Sequence, residues 1–107
     1  MKQPWPPSIA TERIRWLARH EQFDLAYTRH ALERLQERSL TTDDIIHVLQ
    51  HGFVHEASVP ARPTGFFKYC MEAQTPNSGN RMVRVVVIPD TETTSCKIIT
   101  VMWVDER

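Results

Sequence analysis

Cysteine is scarce in this chain, with Cys70 and Cys96 as its two examples. They are too few, and too far apart in sequence, for a secreted disulfide framework or a Cys-x-x-Cys metal knuckle, so both read as reduced core residues. An excess of either charge is missing as well, because 13 Lys and Arg balance 13 Asp and Glu. That balance removes any global electrostatic pull toward nucleic acid, and RNA binding would have to come from a local patch. No apolar run approaches the roughly 20 residues needed to span a bilayer. The opening MKQPWPPS also lacks the basic-then-apolar layout of a signal peptide. The expected location is the cytoplasm, with no membrane partner. Internal repeats and low-complexity segments are absent too. What remains is an ordinary globular composition, 41% apolar and 24% charged over 107 residues, which suits one domain with one core.

Pro4-Trp5-Pro6-Pro7 cannot be helical throughout, since proline fixes φ and lacks a donor, but Ser8 is a good N-cap for a first helix. Ala10, Ile14, Leu17 and Ala18 recur at helical spacing, and this amphipathic helix is expected to end near His20. After a break over 23–27, Thr28 can cap a second helix running to about Arg38, with Ala31, Leu32 and Leu35 as its apolar stripe. Thr41-Thr42-Asp43-Asp44 is a capping run for a third helix, buried through Ile45, Val48 and Leu49 and stopped by Gly52.

From Phe53 onward the period changes from helical to alternating, and β-branched and aromatic residues dominate. Candidate strands are 53–57, 66–73, 81–88 and 97–104, separated by Pro60-Ala61-Arg62-Pro63, by 75–80 and by Pro89-Asp90. Connections this short cannot hold crossover helices, so the last three strands are expected to form an antiparallel meander with 81–88 in the middle. The expected fold is therefore α+β: three N-terminal helices, then an antiparallel, mainly meander sheet of about four strands.

His30, Arg34 and Arg38 are spaced i, i+4 and i+8, and line up as one polar stripe on the second helix. His30 falls in the first turn, where backbone N–H groups and the positive dipole end attract phosphate and favour a neutral imidazole. A neutral imidazole can serve as a general base, and two guanidiniums beyond it can hold phosphate oxygens and stabilise the extra charge of a phosphorane-like transition state. The plain alternative is an ordinary solvated ion-pair face, because Glu33 and Glu37 lie beside these arginines. On the strands, Arg84 shares a face with Met82, Val86 and Ile88, and Thr100 shares one with Ile98 and Met102. An arginine among valines must pair or sit at an open cleft. Lys68 and Tyr69 point to opposite faces, so at most one of them can join Arg84 and Thr100. His47, His51 and His55 form another pattern, the first two at a spacing that can place two imidazoles on one metal. His51 is equally explained as a residue favouring a helix C-terminus. Trp5, Trp16 and Trp103 could stack bases, but their apolar flanks make packing the default.

The run Thr28-Arg29-His30-Ala31-Leu32-Glu33-Arg34-Leu35-Gln36-Glu37-Arg38 follows the pattern T-x-H-A-x-x-R-x-x-E-R. With Leu40, Thr42-Asp43-Asp44-Ile45 and Val48-Leu49-Gln50-His51-Gly52, it resembles the domain of unknown function numbered 4258. The later Phe67-Lys68-Tyr69-Cys70-Met71-Glu72, 83–87 and Ile98-Ile99-Thr100-Val101 resemble that family's strands, so the likeness covers most of 27–104. It leaves 1–24 as an N-terminal helical extension to a core of 25–107 in a single domain.

That family is grouped with the RelE/ParE-like toxins, whose fold class includes metal-independent RNases that use His, Arg, Lys, Tyr and Thr side chains. The resemblance thus implies a toxin-type endoribonuclease without a cofactor, with His30, Arg34 and Arg38 as its leading catalytic residues and Arg84, Thr100 and Tyr69 added from the strands. It implies RNA or the ribosome as target, and an antitoxin or a second copy as partner. Two features depart from this: the chain has no excess positive charge, and the family's usual glycine after Glu-Arg is Ser39 here. The competing expectation is a catalytically inactive module of the same fold that docks a protein partner through its helical stripe and sheet edge.

Overall fold

The computed structural model of the chain describes residues 2–106. Its elements run α1 (Pro7–Arg19), β1 (Asp24–Tyr27), α2 (Arg29–Glu37), α3 (Thr42–His51), β2 (Phe53–Val54), β3 (Val59–Pro60), β4 (Phe67–Gln74), β5 (Met82–Asp90) and β6 (Ser95–Trp103). None of the helices among the described residues is long and apolar enough to cross a membrane.

Each helix forms for a local reason. In α1 the prolines do the work expected of Ser8: Pro6 is the extended N-cap and Pro7 sits in the first turn, where its missing N–H costs nothing. Ser8 therefore lies inside the helix. Thr28 caps α2 by accepting from the Ala31 N–H at 3.0 Å. The helix closes at its other end in a Schellman turn, with Ser39 N–H on Gln36 O and Leu40 N–H on Leu35 O. That turn puts Ser39 at φ 55°, the left-handed conformation that explains why glycine suits this position. α3 opens with a reciprocal capping box between Thr41 and Asp44. Its last carbonyls are capped by α1: Arg15 donates to Gly52 O and His51 O, and Arg19 donates to Gln50 O. Gly52 is required for space, since a Cβ there would lie 2.5 Å from Val48 O and 2.7 Å from Glu72 O.

The α+β class holds, but the expected four-stranded antiparallel meander does not. The sheet has six strands, in the order β1-β6-β5-β4-β2 with β3 also on β4. The β4-β5-β6 meander is present with β5 central, whereas β1 pairs parallel to β6, Leu25 opposite Cys96 and Tyr27 opposite Ile98. Four residues between two helices are too few to display a period, which is why 23–27 reads as a break. Of the expected strand 53–57 only Phe53–Val54 forms, as β2, and after a bend the unexpected β3 follows at Val59–Pro60, so that both flank β4. Pro89 does not end β5. It lies past the last β4–β5 pair, Tyr69 with Val87, so its missing N–H breaks no bond to β4.

Three helices cover one face of this sheet. Val83, Val85, Val87, Val101, Ile98, Tyr69 and Met71 bury there against Ile14, Leu17, Ala31, Leu35, Ile45, Val48 and Leu49 in a single cluster. The helix outside the expected family core thus supplies part of the same core. Asp44 locks the helical layer to the sheet. It is 2% exposed and accepts from Thr75 Oγ1 at 2.7 Å, Asn77 Nδ2 at 3.2 Å and Thr41 N at 2.9 Å. Burial alone would raise its pKa, but the bonds from Thr75, Thr41 and Asn77 together hold it below the ordinary value.

Replacing Asp44 with alanine is expected to cost about 3 kcal/mol, from a lost cap and stranded donors, in urea unfolding. A folded-state pKa below the unfolded value of about 3.9 makes the Asp44 contribution complete above that pH and lost as pH falls through the lower value. Asp44→Asn should flatten that acid limb. Ser39→Gly is expected to raise stability by about 1 kcal/mol, since glycine adopts the left-handed turn without steric cost.

Candidate functional site

The placement of α2 begins with Thr28. Its N–H bonds to Ile98 O at 3.0 Å and its hydroxyl donates to Ile99 O at 3.0 Å while capping the helix. Those two carbonyls belong to a β-bulge, where Val86 faces Thr100 and Val87 faces Ile98, leaving Ile99 extra on β6. Thr28 thus fastens the start of α2 to an irregular point on the sheet, and α2 then packs along β6. Ala31 and Leu35 face inward, while Leu32, expected in the apolar stripe, is 52% exposed.

On the outer side His30, Arg34 and Arg38 do form a stripe. His30 is exposed, and Arg34 Nε donates to its Nε2 at 3.3 Å. In that contact the Arg34 N–H occupies the Nε2 lone pair, which Arg34 must release before His30 can accept from another donor. Arg34 also pairs with Glu37 at 2.6 Å, and Arg38 with Glu37 at 3.2 Å. The Arg34 guanidinium holds the Glu37 carboxyl below its usual range. Glu37 therefore joins the stripe as an ion-pair partner, whereas Glu33 makes no ion pair within 4 Å among the described residues.

The stripe ends in a shallow cleft of about 420 Å³ lined by Glu37, Arg38, Ser39, Arg81, Trp103 and Glu106. Arg38 forks onto Glu106, with Nε on Oε1 at 2.7 Å and Nη2 on Oε2. Arg81 forks onto Asp105, with Nη2 on Oδ1 at 2.7 Å and Nε on Oδ2 at 3.2 Å. Arg81 also lies over the Trp103 ring, 4.1 Å from its centre. The Arg38 guanidinium holds the Glu106 carboxyl down to about 2. Sequence reasoning missed Arg81 as a site residue and assigned Trp103 to packing. The available signal was weak: an arginine opening one strand and a tryptophan closing the next.

The strand candidates lie elsewhere. Arg84 and Thr100 share the sheet face that the helices leave uncovered, opposite Met102 and Val86 respectively. Arg84 is tied to Glu72 at 2.6 Å, so the arginine among valines is paired. The sheet separates this pair from α2, so Arg84 does not join His30. The bulge also turns Ile98 into the core, away from the face it was expected to share with Thr100. Of Lys68 and Tyr69, Lys68 lies on the Arg84 face. Tyr69 is 1% exposed, stacks on Trp5, accepts from the Trp5 N–H and donates to Gln3. Its hydroxyl is engaged by the N-terminal segment, and burial raises its pKa.

Cys96 is in the core, where burial pushes its thiol up to about 12. Cys70 is on the uncovered face instead of in the core, with its pKa also raised by partial burial. Neither is a reactive thiolate. The His47 and His51 rings lie 4.6 Å apart, tilted by 40°, and no group of three potential metal ligands gathers among the described residues. His51 Nδ1 lies 3.3 Å from Arg19 Nη2. Partial burial, then His47, Arg19 and Arg15, lower the His51 pKa. Trp16 is 57% exposed and meets the His20 ring at a tilt of 57°, 5.1 Å between centres.

A family model described as a domain of unknown function (DUF4258) matches residues 27–103. No curated protein matches the chain, and no solved structure does.

Thr28→Val keeps the side-chain shape and removes both hydroxyl bonds. It is expected to destabilise the chain by about 2 kcal/mol in chemical denaturation. Amide exchange should quicken first over 29–33, where α2 loses its cap.

Proposed function

The chain belongs to the DUF4258 family, whose function is unknown, and from its own side chains we propose that it is a metal-independent RNA endonuclease of the RelE-like toxin type. The observation that carries this reading is the exposed His30, whose Nε2 accepts from Arg34 Nε on a helix face that continues to Arg38. Once Arg34 turns from His30 Nε2 to the phosphate, Nε2 takes the proton of a 2′-hydroxyl, and the freed oxygen attacks the adjacent phosphorus. The bond from phosphorus to the 5′-oxygen breaks, solvent protonates that oxygen, and a 2′,3′-cyclic phosphate remains. Arg34 and Arg38 exchange carboxylate oxygens for phosphate oxygens and stabilise the added charge. Arg84, Thr100 and Tyr69 have no part in this centre, because two of them face the other side of the sheet and the third is in the core. RNA, free or on the ribosome, is the substrate, and the cytoplasm is where it is met. Residues 1–107 act as one domain, with 1–24 as a helical extension fitted onto 25–107.

A second reading has one observation in its favour. Glu37 and Glu106 already occupy Arg34 and Arg38, as they would in a catalytically inactive module that docks a protein, such as an antitoxin or a second copy. The half-buried face around Val86, Met102 and the Arg84–Glu72 pair is then the docking surface.

The test is cleavage of total and ribosome-bound RNA, with chelator present, by the wild type and by His30→Ala and Arg34→Ala. His30 is exposed, so His30→Ala is expected to leave stability within about 0.5 kcal/mol. It should lower cleavage by about 100-fold or more, the usual scale of a lost general base. No cleavage by the folded wild type in either setting removes the nuclease reading and favours the docking module.

A further inference from the structure

We propose that Arg38, Arg81 and Trp103 form a phosphodiester-binding subsite for single-stranded RNA, which the Asp105 and Glu106 side chains close by occupying it themselves. The ligand class rests on the RNA reading above, but the subsite does not require cleavage.

The geometry of the two arginines carries the inference. Each meets its carboxylate with two parallel donors, Arg38 on Glu106 and Arg81 on Asp105. Bidentate guanidinium pairing of this kind suits phosphate oxygens as well as carboxylate oxygens. The two anions come from consecutive residues, so one short stretch of chain places two negative groups in adjacent seats, as successive phosphates of a nucleic acid would. The seats themselves come from distant parts of the sequence. Arg38 caps the end of α2, Arg81 precedes β5, and Trp103 ends β6.

The third component selects a nucleic acid over a simple anion. Arg81 stacked on the Trp103 indole is a planar cation on an aromatic ring, a surface on which an unstacked base can lie. Base–aromatic stacking is tolerant of sequence and needs a single strand.

The occupying side chains are placed to leave. The Asp105 side chain is 61% exposed and that of Glu106 31% exposed, beyond the last strand. Backbone ties hold the segment beside the cleft, Val104 N–H on Met82 O and Glu106 N–H on Trp103 O, while the bond from Trp103 N–H to Glu106 Oε1 is given up when that carboxylate leaves. Phosphates offer each guanidinium the same bidentate geometry that the carboxylates use, so a polyanion that fills both seats at once can displace them. Self-occupation also accounts for a chain with local arginine seats and no net positive charge.

The experiment is fluorescence anisotropy with a labelled 2′-O-methyl oligouridine, which binds but cannot be cut. Asp105→Asn/Glu106→Gln is expected to bind about tenfold tighter than wild type at low salt, with a log–log salt slope steeper by about 1.4, near 0.7 for each freed phosphate contact. Adding Arg81→Gln or Trp103→Leu to that background should remove most of the gain. Glu12→Gln/Glu21→Gln makes the same change in net charge on α1 and the turn that follows it, and is expected to bind as the wild type does. If the double variant does not fold, Asp105→Asn alone tests the Arg81 seat, with a gain of about threefold expected.

No tightening, equal tightening in the α1 control, or competition by oligoglutamate as effective as by RNA overturns the subsite, the last in favour of an acidic protein ligand. Tighter binding without cleavage by any variant keeps the subsite and removes the nuclease. Cleavage by the wild type without tightening does the reverse.

Discussion

Thr28 is the junction on which the rest of the arrangement depends. It follows β1, which pairs parallel to β6, supplies two hydrogen bonds to the bulge in β6, and caps the helix that carries His30 and Arg34 and ends at Arg38. A threonine can do all three because its hydroxyl donates in one direction and accepts in another. The bulge matters equally. An unbroken β6 would turn its Ile98 and Ile99 carbonyls away from one another, and a single side chain and its own N–H could not reach both. The outer stripe of α2 is aimed by this contact and not by the weak helix propensity of a nine-residue segment.

Electrostatics then shapes what that stripe offers. Arg34, Arg38, Arg81 and Arg84 each hold a carboxylate, and the chain as a whole is neutral. These pairs differ in setting. Glu72 and Arg84 are partly buried on the uncovered sheet face, where neither could be left alone without a desolvation cost. The Arg34–Glu37 and Arg81–Asp105 pairs are more open to solvent, Arg38 is itself mostly buried beside Glu106, and the guanidinium geometry that holds these carboxylates also suits an incoming phosphate. A neutral protein can carry a concentrated anion site when its compensating charges are this local.

Much of the helical half was legible in the sequence because its signals are local. Thr28 and the Thr41–Asp44 box announce their helices through bonds made within one turn, and Ala10, Ile14, Leu17, Ile45 and Val48 show their buried faces by spacing. The β4-β5-β6 meander followed from short turns. β1 was not legible, since four residues show no period and its partner is some 70 positions away in sequence. The bulge was not legible either, because Ile98-Ile99-Thr100 alternates like any strand, and only pairing with β5 reveals the extra residue. Of the site, the stripe His30, Arg34 and Arg38 was visible as spacing on one helix. Arg81 and Trp103 were not, because they meet Arg38 only after three separate segments come together.

The sequence by itself determined the class of the domain, the bounds of its helices to within a residue or two, and the line of polar groups along α2. These follow from interactions within a few residues of chain, which composition and spacing encode directly. Tertiary structure decided which face each strand residue takes, that Tyr69 is a core residue, that Arg84 belongs with Glu72 across the sheet from α2, and that Asp105 and Glu106 sit on Arg81 and Arg38. Each of these depends on pairing between segments distant in sequence, and a one-residue shift of register would reassign every side chain involved.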